Sequence, residues 1–590
     1  MPPLFLLEPY EPCVQKLWQY YFVTFALVSD TPSQLLDLIQ EYSSFKVTHF
    51  NHTILQHGVC IESRNNTNSD IKETLEFHLN ETIFSKYNLK TKVLKYYGKD
   101  EDTKIDTGDV IVAVIILGIL FLNVIGSFYD VCRNEKNGTG LNILLCFSIR
   151  QNWRKLMTPV GKSDPRLERL KSINGIRTLS TSLVIMSHAF LPALIYIDNP
   201  QAVEETYNNV ANHIFSNGSI IMQTFFTISG FLLVYNLQIA AEKNSYEWLT
   251  LPRGVLLRWL RLTPAYALVL AVTVTWMRHA GSGPLWQPVV GTEARDCARN
   301  WWLHLVLLNN YVDGSECMVH TWYLAADFHL YILGIIVFVS CRTTRARVVS
   351  LSLLFNLGLI TSALHTYFQD LDAAVIFSPE TIRWTFKNDR TYNHVYKRSH
   401  TNISCYVLGL ALGYIVYYAQ KTNFDVQKYK KYRMLLWSAF PVGLLLILSA
   451  SLFYADRGSM PLRMAYAALA RPLDGLLLAC YIFSSVLKYE DVYRGVVEWR
   501  GWTVPGRLSF SAYLLHASFV RYAAGVQTII THSTKLHMVQ LFLFFLMVSY
   551  LAAFVFWIVV EAPLGQLVKV TFERRRRTKN IDEKPEKMIE

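Results

Sequence analysis

The stretch VIVAVIILGILFLNVIGSF, Val110–Phe128, contains no charged residue. The hydrocarbon core of a bilayer is about 30 Å thick and takes about 20 helical residues to cross, so this run is long enough to span. A soluble core helix of that length keeps a polar face, and this one has none. Composition agrees that lipid is the main solvent. Of 590 residues, 52% are hydrophobic and only 17% charged, against about a quarter charged in soluble domains.

Ten further apolar blocks follow, near 174–195, 219–240, 256–277, 319–340, 348–367, 402–419, 434–453, 464–487, 508–530 and 539–560. The pattern predicts an all-α, polytopic transmembrane bundle of about eleven spans behind a small N-terminal extracellular or luminal region. The division follows: 1–108 outside, 109–128 the first span, 129–173 a basic linker, 174–565 a ten-helix membrane domain, and 566–590 a charged tail.

Orientation is read from charge and sequons. Residues 1–108 hold Asn51-His-Thr, Asn65-Asn-Thr and Asn80-Glu-Thr, three glycosylation acceptors that make sense only in the lumen or outside the cell. The first connecting loop is rich in Arg and Lys, and every second loop after it is basic again, through to the tail Arg574–Arg577. That alternation puts the N-terminus outside and the C-terminus in the cytosol. It also accounts for the net charge of +12 without nucleic acid as a partner, because the basic residues sit in loops between apolar blocks. The apolar patch Tyr20–Val28 is too short to span and lacks the basic flank of a signal peptide. Nine scattered cysteines form no CxxC or Cys/His cluster, so no metal site is expected. Cys297 and Cys317 share one non-cytosolic loop, where a disulfide is permitted; two free thiols remain the alternative.

Polar groups inside spans are costly and rank first as functional candidates. The second span opens Asn174-Gly-Ile-Arg177 and reaches Ser187-His188. Three full turns separate Arg177 from His188 on one helix face, about 16 Å of rise. A buried imidazole on that face suits a general base, or else hydrogen-bonds a neighbouring helix as packing glue. The third span reads Phe225-Phe-Thr-Ile-Ser229-Gly230-Phe-Leu232. Its Ser229–Gly230 pair suits close helix approach and lacks the GxSxG elbow of a serine nucleophile. In the fourth, Arg258 and Arg261 share a face, matching either phosphate recognition or snorkelling to headgroups, with Pro264 kinking the helix beside them. The fifth carries His320 and Trp322–Tyr323, which read as an interfacial belt. Deeper in it lies Asp327, which needs a partner among Arg177, His188 and His329. Arg471 and Asp474 read as a pair on one span; Tyr513, His516 and Glu561-Ala-Pro563 complete the polar set.

Taken in order, Cys146-Phe-Ser-Ile-Arg150-Gln-Asn152, Asn174–Arg177 through His188, Phe225–Leu232, Arg258–Pro264, Trp322–Asp327, Ser509–His516 and Glu561–Pro563 resemble the acyltransferase 3 family, and most closely its animal branch of nose-resistant-to-fluoxetine proteins. The resemblance covers residues 140–565. It implies transfer of an acyl group from acyl-CoA, as co-substrate with no bound cofactor, to a hydroxyl of a lipid or other small acceptor. His188 would be the base and Arg177 its partner; Arg258 and Arg261 would face the donor's phosphates, with Asp327, Ser229, His516 and Glu561 in the substrate cavity. Two departures stand out. Family members usually begin with a longer, cysteine-rich outer domain, of which Cys13 and Cys60 look like remnants, Asn65 standing where a cysteine partner is expected; this points to a shortened N-terminus and a lost signal peptide. Val486–Pro505 lacks the usual glycine-rich stretch. The competing functional class is a transporter or lipid-handling protein on the same scaffold, and after it a non-catalytic receptor or scaffold. The location expected is the plasma membrane or the endoplasmic reticulum.

Overall fold

The computed structural model describes residues 1–62, 68–98, 104–132, 142–158, 166, 169–243 and 246–571. Asn65, Arg133, Lys136, Lys162 and the Arg574–Arg577 tail lie outside these residues.

The first 98 residues are not all-α. Strands β1 (Phe5–Leu7), β2 (Gln19–Val28), β3 (Ile54–Ile61) and β4 (Lys90–Tyr97) form a sheet in the order β1-β3-β2-β4. The apolar patch at 20–28 is its strand β2, antiparallel to both β3 and β4, and buried along nearly its whole length. Near-continuous apolar character marks a strand covered on both faces. Helices Gln34–Ser43 and Asn68–Tyr87 contribute Ile39, Leu75, Leu79 and Ile83 to its core, while Ile197, Val203, Tyr207 and Tyr454 join from outside the sheet domain. Cys60 is bonded to Cys13, so it needs no partner at position 65.

Two charged side chains fasten this domain to the rest. Glu204, 3% exposed on helix Pro200–Thr206, accepts from the Phe50 amide (2.8 Å), the Tyr42 hydroxyl (2.7 Å) and the His52 ring (2.9 Å). Arg383 reaches the other way, donating to Gln56 Oε1 at 3.0 Å and the Ile54 carbonyl at 2.8 Å. Burial alone would raise the Glu204 carboxyl, but His52, Tyr42 and the Phe50 amide outweigh it and hold it below the ordinary glutamate value.

Eleven long helices follow: α1 Thr107–Cys132, α2 Lys171–Ala189, α3 Gly218–Ala241, α4 Thr250–Val274, α5 Val319–Ser340, α6 Thr344–Phe368, α7 Ile403–Lys421, α8 Arg433–Phe453, α9 Met460–Val486, α10 Thr503–Gly525 and α11 Lys535–Thr571. Among the described residues nine are long and apolar enough to cross a membrane. Nine of the eleven expected spans are borne out by that measure. The shortfall falls on α2 and α10, which are long enough (19 and 23 residues) but carry Arg, His, Asn, Ser and Thr throughout. These two helices pack against each other and against α11. The basic linker is partly helical, with Ile149–Met157 capped by the Ser148 side chain. Pro264 sits inside α4, whose helix continues through it.

Two glycines let α3 and α7 cross closely. A Cβ on Gly230 of α3 would meet the Tyr406 carbonyl at 2.5 Å, and one on Gly409 of α7 would meet the Thr227 carbonyl at 2.3 Å. Both contacts are to backbone, which cannot move aside, and close approach through small residues is how membrane helices gain packing. Replacing Gly409 with Ala should separate α3 from α7 and lower the thermal midpoint, with a cost of about 1–3 kcal/mol typical of overpacking.

The Glu204 fastening has a pH sign. Its carboxyl is held low in the folded protein, so its contribution is full above the ordinary glutamate range and is lost as pH falls through the depressed value. Proteolytic release of the N-terminal sheet should accelerate on acidification. Glu204→Ala should show the same release at neutral pH, since two buried donors then lose their acceptor at about 1–3 kcal/mol each.

Candidate active site

Two polar layers lie inside the bundle, built from α2, α3, α4, α5, α10 and α11. In the first, His516 of α10 is fully buried and donates from Nδ1 to the Tyr513 carbonyl at 2.8 Å. A carbonyl only accepts, so the single ring proton of His516 is on Nδ1 and its Nε2 is an acceptor. That atom lies 3.0 Å from Nδ1 of His188. With His516 as the acceptor, the His188 proton is on Nδ1 and a lone pair is left on Nε2; the Val184 carbonyl also lies within hydrogen-bond reach of the His188 ring. His188 is half-buried. His320, whose ring centre is 5.1 Å from that of His516, completes a three-imidazole group, with its own Nε2 buried and unpaired. The Tyr513 hydroxyl donates to the His320 carbonyl. His320 and Trp322 are buried, and Trp322 packs in the core; neither forms an interfacial belt.

The second layer is cationic. Arg258 is ion-paired to Asp327, donates to Ser229 Oγ at 3.2 Å, and lies 4.2 Å over the Tyr331 ring. Asp327 thus takes Arg258 as partner, not Arg177, His188 or His329; His329 bonds Ser399 at 2.8 Å. Arg177 lies in electrostatic reach of Arg261, Tyr323, Arg258 and Asp327, and Arg261 in reach of Arg258, Glu561 and Tyr331. Arg177 and Arg261 make no side-chain hydrogen bond among the described residues, and both remain accessible, Arg261 the more so. Guanidinium forks left open in this way suit an anionic group. Glu561 of α11, bonded by the Ser511 hydroxyl, is the carboxylate in electrostatic reach of Arg261.

Local backbone aims Glu561. Residues Trp557–Glu561 form one π turn, which breaks the regular ladder and leaves carbonyls to be satisfied elsewhere. Asn123 of α1 donates to the Val559 carbonyl at 3.0 Å, and Asn152 to the Ile558 carbonyl at 3.3 Å. The Cys146–Asn152 segment therefore braces α11.

The two layers are joined through Tyr323, which is in electrostatic reach of Arg177, Arg258 and Tyr513 with its ring 6.4 Å from that of Tyr513. Arg177 and His188 themselves are not in contact: the ring against His188 belongs to His516, and Arg177 joins the arginines. Arg471 and Asp474 do not pair either; Arg471 bonds Asn402, Val395 and Ser362. Sequence reasoning missed His320, Tyr323 and Tyr331 as members of the site. Seven residues from His320 to Asp327 is nearly two turns, so His320 shares the Asp327 face, a signal that was available. Cys297 and Cys317 are disulfide-bonded; among the described residues no three His, Cys, Asp or Glu converge on a metal position.

A family model described as an acyltransferase domain matches residues 170–560. The chain belongs to the acyltransferase 3 family. Among its relatives is nose resistant to fluoxetine protein 6 of Caenorhabditis elegans, 23% identical over 565 residues, covering 89% of this chain and 67% of that one. A second, regulator of hypoxia-inducible factor 1 of the same organism, is 20% identical over 452 residues, 72% of this chain and 84% of the relative. No solved structure matches the chain. The acyltransferase 3 match begins at the start of α2 and ends within the π turn, so both polar layers lie inside it except for Glu561, one residue past its end.

The Arg258–Asp327 pair sets a stability test. Removing one member strands the other charge, at about 3–5 kcal/mol, whereas replacing both with apolar side chains of similar volume is often neutral. Asp327→Asn and Arg258→Met should each lower the thermal midpoint strongly, and the double variant combining Arg258→Met with Asp327→Leu should recover most of the loss.

Proposed function

We propose that this protein moves an acyl group from an acyl-CoA to a hydroxyl of a lipid or other small acceptor. The observation that carries the reading is the proton order along Tyr513, His516 and His188, which leaves the His188 Nε2 lone pair free. In the proposed reaction that nitrogen takes the acceptor's hydroxyl proton while the oxygen attacks the thioester carbonyl. The carbon–sulfur bond then breaks, and the proton passes from His188 to the departing thiolate. His516 orients the imidazole and fixes its tautomer.

The open guanidinium groups of Arg177 and Arg261 support a donor whose phosphates lie in the second layer. About 16 Å of helical rise separates Arg177 from His188, a distance the extended pantetheine arm of coenzyme A covers, so cation and base need not touch. Arg258, already held by Asp327, Ser229 and Tyr331, positions the cluster rather than binding phosphate. On this reading the basic loops are cytosolic, donor enters from that side, and the N-terminal sheet with its sequons at Asn51, Asn65 and Asn80 faces the lumen or exterior of an endoplasmic-reticulum or plasma membrane. The side-chain oxygens of Asn51 and Asn80 accept from Thr53 and Thr91 respectively.

The continuous run of polar side chains from Arg261 to His188 also supports the alternative of a carrier for lipid or small solutes. Purified protein in lipid nanodiscs, supplied with radiolabelled acyl-CoA and a mixed acceptor pool, separates the two. Acyl transfer and release of free coenzyme A, reduced about 10²- to 10⁴-fold in His188→Ala, support the enzyme. Wild-type rates in that variant, or solute flux into liposomes without any thioester, would sink it.

A further inference from the structure

Arg471 of α9, which belongs to neither layer, lies in a part of the bundle where charge is costly. Its guanidinium has five N–H donors. One terminal nitrogen donates to the Val395 carbonyl (3.3 Å) and Asn402 Oδ1 (3.1 Å), and the other to Ser362 Oγ at 3.4 Å. All three acceptors are neutral and none of the bonds is short. The Asn402 oxygen is directed at Arg471 because its amide nitrogen is committed to the Tyr396 and Arg398 carbonyls. Nε–H and one further N–H are left without a protein acceptor among the described residues. No carboxylate among those residues pairs with this arginine, although Asp474 is one turn away on the same helix.

Arg471 forms part of the wall of a cavity of about 50 Å³, space for a few water-sized groups. Its other walls are mainly apolar, from Ile220, Val375, Ile447 and Ala467, and the Tyr396 and Tyr466 hydroxyls in it are bonded elsewhere. The chemistry is that of one fixed positive charge with two open donors, in a small apolar-walled space bordered by the loop residues Ala373 and Thr391.

We propose that this cavity is a binding site for a small monovalent anion, held on Arg471 as the counter-charge that the protein does not itself provide. A carboxylate would engage the open edge of the guanidinium through two parallel hydrogen bonds; a halide would sit at the same place as a single sphere. The site is independent of acyl transfer, and α9 contributes no residue to either polar layer.

The test is thermal unfolding of the full chain in nanodiscs, in sodium acetate, sodium chloride or sodium gluconate at equal ionic strength, gluconate being too large for the cavity. Acetate or chloride should raise the midpoint by about 2 °C or more over gluconate; the stronger of the two identifies carboxylate or halide as the ligand. Arg471→Gln should abolish the difference and Arg471→Lys should retain part of it. Should Arg471→Gln fail to fold, Ala470→Phe, which fills the cavity and leaves the charge, must remove the anion dependence. Equal midpoints in all three salts, or an undiminished anion effect in either Arg471→Gln or Ala470→Phe, would overturn the proposal.

Discussion

The hydrogen bond from His188 to His516 is the constraint on which the rest of the interior depends. Two neutral imidazoles can share one hydrogen bond only if one donates and the other accepts, and the Tyr513 carbonyl decides which does. The arrangement needs α2 and α10 in direct contact at one depth, so both helices must be more polar than lipid would otherwise permit. Their neighbours compensate: α11 covers one flank, and α3 and α7 cross closely enough, through Gly230 and Gly409, to exclude lipid from the centre. Polarity in the middle of the bundle and apolar surface around it are one design.

Charge is distributed by the same logic. Asp327 is 3% exposed and is matched by Arg258, which also meets Ser229 and the Tyr331 ring, while Asp327 Oδ1 and Arg258 Nε stay buried without a hydrogen bond. Once that pair is closed, two arginines remain without acceptors, an excess of positive charge in a half-open space. Such an excess has a physical purpose only if something negative arrives. At the junction with the N-terminal sheet, in contrast, buried charges serve purely to dock: Glu204 and Arg383, both from outside the sheet, meet hydrogen-bonding partners across the junction.

How much of this was legible in the sequence divides by range. Apolar blocks marked the long helices because span length is a local property, and His188, Asp327, His516 and Glu561 stood out because isolated polarity in such blocks is rare. Partners were not legible. Arg177 was read against His188 because both lie on one helix, yet the contact that orders His188 comes from residue 516, and the match for Asp327 comes from residue 258. Pairing across helices depends on crossing geometry, which one-dimensional spacing does not contain. Arg471 and Asp474 make the same point: three residues apart, they still do not meet. The sheet was missed because strand β2 is buried on both faces and so lacks the alternation that identifies a strand, leaving an apolar patch with no period.

The π turn at Trp557–Glu561 is in effect one additional residue wound into a helix. Everything beyond it is rotated by about 100° relative to a continuous α-helix, and Asn123 and Asn152 hold the extra loop of backbone in place. The angular position of Glu561 is therefore stored in chain length as well as in side-chain identity. An otherwise silent loss of one apolar residue from α11 would turn that carboxylate away from Ser511 and Arg261 while leaving the composition of the span almost unaltered.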